Sequence, residues 1–300
     1  MDHIARRAVV DSEKRGRSRA MTRLARRRWS NRVVLVLSGL AAALGAGMLI
    51  WVLWDVVAKG AAAINWAFFT ETTPPPGEEG GGMGNAILGT LKLIAVAALM
   101  ASPLGVLIGI YLAEFGREER FGEIVRRTLD VLVSAPSIVV SVFVYLLLVR
   151  PFGHFSGWAG AVSLAIIMLP VVARTAEEML RLAPDELREA GLALGMPYWR
   201  MVLAIVLRAT KAGVLTGILL ALARVAGETA PLLFTALNSP YWPDTLAEPT
   251  ANLTVTIFNY AMSPYERWHA LAWGGAFLIT AGVLCVTIFV RVAFRKGGRP

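Results

Sequence analysis

Arg224 and Glu228 stand four residues apart deep inside an apolar run that extends from about Val202 to Leu237. An ionisable group at membrane depth is costly on any scale, so such a pair serves either a function or mutual compensation. Read as one helix, Arg224 lies 13 residues beyond Lys211, about 20 Å along the axis from the inner edge. Glu228 then follows one turn later on the same face, within reach of the arginine. A guanidinium makes two parallel bonds to an oxyanion through its planar fork. Two roles fit the pair: a pathway for an anionic cargo, or an ion pair that only fixes helix packing.

Three more charged groups carry the same kind of question. Arg174 and Glu177 follow Pro170 at the end of another apolar run, and Lys92 lies inside a third. Arg174 and Glu177 suit interfacial snorkelling on the residues alone; Lys92 suits capture of an anion near the outer entrance, or snorkelling outward. No catalytic constellation accompanies them. Glu228 as a general base in an intramembrane enzyme would need a nucleophile or metal ligands at its depth, which Thr229 alone does not supply. None of Lys14, Lys59, Lys92, Lys211 and Lys296 follows a glycine, so no GxxxxGK[ST] phosphate loop exists. His3, His154 and His269 lack ligand spacing, and the single cysteine, Cys285, excludes an internal disulfide. No cofactor and no metal are expected.

The elements that must position these groups are membrane helices. The 300 residues are 56% hydrophobic and 17% charged, with a mean hydropathy of +0.59. Several apolar stretches exceed the roughly 18 residues of a spanning candidate, which makes the chain an all-α polytopic membrane protein. Expected spans are Val33–Val57, Ala86–Leu112, Val131–Val149, Trp158–Ala176, Val202–Leu237 and Trp268–Val290. Pro136 should break or bend the third. Between the spans, 58–85 is a Pro- and Gly-rich loop, and Leu253–Ala261 is a short helix within the outer segment 238–267.

The net charge of +9 is concentrated beside the spans, which is the positive-inside pattern and not a nucleic-acid signal. Arginines crowd residues 1–32, the loop holding Arg117, Arg120, Arg126 and Arg127, and the tail 291–300. Six transmembrane helices with cytosolic N and C termini are the simplest solution. The domain plan is a basic cytosolic segment 1–32, a transmembrane domain 33–290 and a basic cytosolic tail 291–300.

One charged island sits between the fourth and fifth spans. Pro184, Asp185 and Glu186 suit a helix start, Gly195 a left-handed cap, and Pro197 the opening of a second helix. The resulting helix, 184–195, is too short to span a bilayer. Leu187, Gly191 and Leu194 fall on one face with Ala190 beside them, a docking surface exposed to the cytosol.

Glu189, Ala190, Gly195, Ile205 and Leu207 resemble the EAA motif of ABC-importer permeases, with Gly191 in place of the second alanine and Arg208 in place of the closing proline. Gly84–Leu91 with Pro103–Gly105 and Ile110–Glu114, Ala135–Val139, and Ala223–Leu233 are similar to the phosphate-specific permeases of the PstA type. The resemblance covers roughly residues 84–237 and implies a type I, MetI-like permease fold in a bacterial cytoplasmic (inner) membrane. It implies an inorganic phosphate importer with a second homologous permease, two ATPase subunits and an external phosphate-binding protein. Under it, Glu189, Ala190, Gly191 and Gly195 would couple to an ATPase cleft, and Arg224, Glu228, Arg174, Glu177 and Lys92 would line the pathway. The contacts would be with these subunits and membrane lipid, and not with nucleic acid. A permease for sulfate, molybdate or phosphonate is the nearest alternative, and an anion channel a more distant one.

Overall fold

A computed structural model describes the backbone of residues 2–295 and the side chains of 27, 29–289, 291 and 292. Every regular element among the described residues is helical. The chain divides into two compact units, Met1–Asp55 and Val56–Pro300.

The first unit consists of helix α1 (Asp2–Ala63) up to Asp55. The basic stretch 2–32 runs into the first span without a break, because it holds no proline and is rich in Arg and Ala, both good helix formers. Its portion Trp29–Ala63 is long and apolar enough to cross a membrane. Large side chains such as Leu44 and Trp54 stand exposed there, as on a face that meets lipid or another apolar helix.

The second unit is built on two tightly apposed helices, α3 (Gly84–Ile110) and α7 (Gly157–Arg181). Ala97, Ala101, Gly105 and Gly109 recur every four residues along α3, and all are buried. A Cβ on Gly105 would lie 2.8 Å from the Val172 side chain, and one on Gly109 2.5 Å from Ala176. Small side chains therefore let the two backbones approach, the usual means of helix association in lipid. Helix α10 (Leu207–Val225) packs on α7 in the same manner, Gly217 facing Thr175. Helix α13 (Glu266–Arg295) lies against α10 and α12. With Trp29–Ala63, these give five helices able to span; residues 291–295 of the expected tail continue α13, and 296–300 lie outside the described residues.

Two of the expected spans, 131–149 and 202–237, are interrupted. Over 120–152, α4 (Arg120–Ser134) and α5 (Ser137–Val144), with the π-helical turn Tyr145–Val149 and the short α6 (Arg150–Phe152), bend by 102° at Ala135–Pro136. The break or bend expected at Pro136 is present, and the segment it divides extends beyond the expected 131–149 to 120–152. Pro136 disfavours helix at Ala135 and offers no N–H of its own. The span expected over 202–237 is likewise divided. It begins with α9 (Tyr198–Met201) and the π-helical turn Val202–Val206, continues as α10, stops at Val225, and resumes in α11 (Ala230–Leu233). Gly227 lies in this break and Pro231 in the first turn of α11 after it, the first favouring the break through backbone entropy and the second through its missing N–H. A short α2 (Trp66–Thr70), α8 (Asp185–Ala193) and α12 (Leu253–Ala261) complete the order. The short helix expected at 253–261 has those same bounds.

Candidate functional site

The two helix breaks face each other across a cavity of about 250 Å³. Leu132, Val133, Ala135, Pro136 and Ser137 line it from the α4–α5 elbow, Ile167 and Val171 from α7, and Arg224 and Glu228 from the α10–α11 break. Non-helical backbone at membrane depth is tolerated where it lines such a polar cavity. Because α10 ends at Val225, Arg224 and Glu228 do not share a helical face as a continuous span would require. Among the described residues no ion pair joins them, so both point their charge at the cavity without neutralising each other by contact. Ser137 opens α5, whose first N–H groups add a positive dipole end to the same wall.

The backbone of Glu228 is held from the side by α12. Thr254 Oγ1 donates to the Glu228 carbonyl at 3.1 Å. The start of α12 is in turn fixed by Asn252, fully buried, whose Oδ1 caps Val255 N at 3.0 Å and whose Nδ2 donates to Leu237 O at 2.9 Å. That last contact holds Leu237 at φ 58, a left-handed conformation unusual for leucine. Thr90 receives Leu253 N at 2.8 Å, and Asn85 binds Thr73 and Ser239 O. The stretch Gly84–Leu91 thus acts by positioning α12 and, through it, Glu228.

The other pathway candidates fall in two places. Lys92 Nζ donates to Pro243 O at 2.5 Å, so it tethers the segment 238–267 and is not part of the cavity wall. Glu177 is 2% exposed and is enclosed by arginines: Arg126 Nε and Arg181 Nη2 each at 2.7 Å from Oε1, Arg174 Nη1 at 3.6 Å from Oε2. It is a junction of α4 and α7. Arg174 is less enclosed. It bonds Asp130 and, at 3.1 Å, the Arg126 carbonyl, one turn from Val171 of the cavity wall. Arg126 also donates to Leu112 O and Gly116 O at 2.8 and 2.9 Å, closing the end of α3. Asp130 and the clamp role of Arg126 carried no sequence signal, since their partners lie 44 and 51 residues away.

Helix α8 is attached by one narrow edge. Arg188 and Gly191 are its buried residues, while Glu189, Ala190, Leu192 and Ala193 are exposed. A Cβ on Gly191 would meet Met201 Cγ at 2.7 Å and Ile205 Cδ1 at 2.8 Å. Gly191 therefore faces the chain's own body and not an external cleft, which corrects its expected place on the docking face. Gly195 adopts φ +74 and ends the helix as expected, and Leu194 beside it is 81% exposed.

Residues 105–296 match the family described as binding-protein-dependent transport system inner membrane component. A protein of Yersinia pestis named phosphate transport system permease protein PstA is 53% identical over 90% of this chain and 92% of its own length. One of the same name from Haemophilus influenzae is 48% identical over 90% and 95%. Among solved structures, an inward-facing MetNI methionine ABC transporter superposes with a TM-score of 0.58 at 18% identity, covering 71% of this chain and 95% of that one. That likeness extends to the fold.

Proposed function

The chain belongs to the family of binding-protein-dependent transport system inner membrane components, and we propose that it is the membrane permease subunit of an ATP-driven inorganic phosphate importer. The observation that carries this reading is the cavity in which Arg224 and Glu228 stand together without contacting each other, between two helix breaks. The phosphate named for its relatives is the cargo these two groups suit. Near neutral pH phosphate retains a proton and sulfate does not. Arg224 attracts the oxyanion, and the Glu228 carboxylate accepts that proton's hydrogen bond while repelling an unprotonated competitor. Arg174, a turn beyond the cavity wall, is the next cation toward the α8 end.

In this reading the α8 end is cytosolic, the membrane is a bacterial cytoplasmic membrane, and the chain supplies half of the pathway. A second homologous permease supplies the other half, and an external phosphate-binding protein delivers cargo. One of two ATPase subunits seats on the exposed residues Glu189, Ala190, Leu192 and Leu194, since this chain has no phosphate loop of its own. Phosphate uptake into vesicles containing the full complex tests the reading, with ATP present or absent and sulfate as competitor. Arg224→Gln should abolish uptake at matched complex levels, and Glu228→Gln should preserve assembly but relax exclusion of sulfate. Normal uptake by Arg224→Gln overturns the assignment, and uptake without ATP would make the complex a channel.

A further inference from the structure

The carboxylate of Glu114 is 1% exposed and lies in the π-helical turn Tyr111–Phe115 that ends α3. It receives Arg188 Nη2 at 2.7 Å and Arg188 Nε at 3.1 Å, a bidentate pair, and the Tyr198 hydroxyl at 3.0 Å. Arg188 spends its remaining donors on its surroundings: Nη1 on Ala183 O at 2.6 Å and Asp185 Oδ1 at 2.9 Å, and Nη2 also on Leu180 O at 3.0 Å. One guanidinium therefore joins the end of α7, the start of α8 and the end of α3, while Tyr198 adds α9. Ile110, Ala113, Leu180, Met201 and Val202 form a buried apolar cluster from the same helix ends. The Glu114 pairing holds the Arg188 guanidinium above its usual range, so its charge is permanent.

We propose that the Glu114–Arg188 pair is the strut through which movement of α8 reaches the cavity, with Glu114 a positioning residue of the transport cycle. Arg188 and Gly191 are the buried attachments of α8, and Gly191 contributes only a close apolar approach that can slide. The bidentate pair cannot slide without exposing a buried charge, so displacement of α8 carries the end of α3 with it. From there the close α3–α7 packing conveys it to Val171 and Ile167 of the cavity wall.

The inference rests on the permease reading and is tested in the complete reconstituted importer, with its ATPase and binding protein, in proteoliposomes. The quantity read is ATP hydrolysed per phosphate taken up. Glu114→Gln should leave the phosphate concentration for half-maximal uptake unchanged. Its ATP cost per phosphate should rise about tenfold, the scale of losing one charge-assisted contact. Parallel loss of hydrolysis and uptake, or an unchanged ratio, overturns the strut. Should Glu114→Gln fail to assemble, Tyr198→Phe removes only the hydroxyl contact and should raise the ratio about threefold; no rise overturns the proposal equally. Absence of phosphate uptake by the unmodified complex would instead defeat the functional reading.

Discussion

Arg126 Nε and Glu177 Oε1 meet at 2.7 Å across 51 residues of sequence, joining α4 to α7 beside the cavity. The same carboxylate carries Arg181 and faces Arg174, and its Oε2 accepts no hydrogen bond among the described residues. Removing that one negative charge leaves three guanidiniums facing each other with Asp130 as their remaining counter-charge. Glu177→Gln should cost about 3–5 kcal/mol, read as a large fall in the thermal midpoint of the purified complex. Arg181→Gln, at 42% exposure, should cost about 0–1 kcal/mol. Equal stability of both variants would remove the cluster from the fold's supports.

Gly191 separates body packing from docking. Gly191→Leu should destabilise the permease pair even without its ATPase, by about 1–3 kcal/mol, because the new side chain enters the space of Met201 and Ile205. Leu194→Asp should leave that stability unchanged and reduce co-purification of the ATPase. Loss of ATPase binding by Gly191→Leu with an unchanged thermal midpoint would return this glycine to the outer face.

Thr254 tests whether the hold on the Glu228 backbone matters for the cargo. Thr254→Val keeps shape and removes the hydroxyl's contacts with the Glu228 carbonyl at 3.1 Å and with Asn252 Oδ1 at 3.3 Å. The phosphate concentration for half-maximal uptake should rise about fivefold at matched complex levels. An unchanged value would make α12 a passive cover.

Burial pushes the Tyr260 phenol up to about 12. The native state then keeps a proton that the unfolded chain releases near the ordinary value of about 10. This group's stabilisation is complete below pH about 10 and is lost as pH rises toward about 12. A melting series over that window should fall more steeply for the native chain than for Tyr260→Phe. Parallel curves would contradict the burial.

Orientation is tested by impermeant thiol labelling of intact cells after Cys285→Ser. Glu78→Cys should label from outside and Leu194→Cys should not; the reverse pattern would invert the topology.

What the sequence displays well are features that depend on local order. The apolar runs, the Gly195 cap and the short helix at 253–261 follow from hydropathy, a single φ preference and turn chemistry. The elbow at Pro136 was legible as a break, but its 102° angle depends on what packs on either side. Arg224 and Glu228 announced themselves by depth alone. Their separation by a helix end did not, because an i,i+4 spacing looks the same whether or not Gly227 and Pro231 interrupt the ladder. Glu114 with Arg188, and Arg126 with Glu177, are joined only by the fold, and no local pattern links residues 74 or 51 positions apart.

The four-residue rhythm of Ala97, Ala101, Gly105 and Gly109 has a consequence for how this chain tolerates variation. No charge or ligand is involved, yet at Gly105 and Gly109 even one added methyl meets an opposing side chain. A saturation scan would return a strip of small residues as intolerant as the arginine cluster, though nothing in its chemistry marks it. Two long helices fastened along such a seam cannot roll over each other, so α3 and α7 should move as one body against the two interrupted segments that border the cavity.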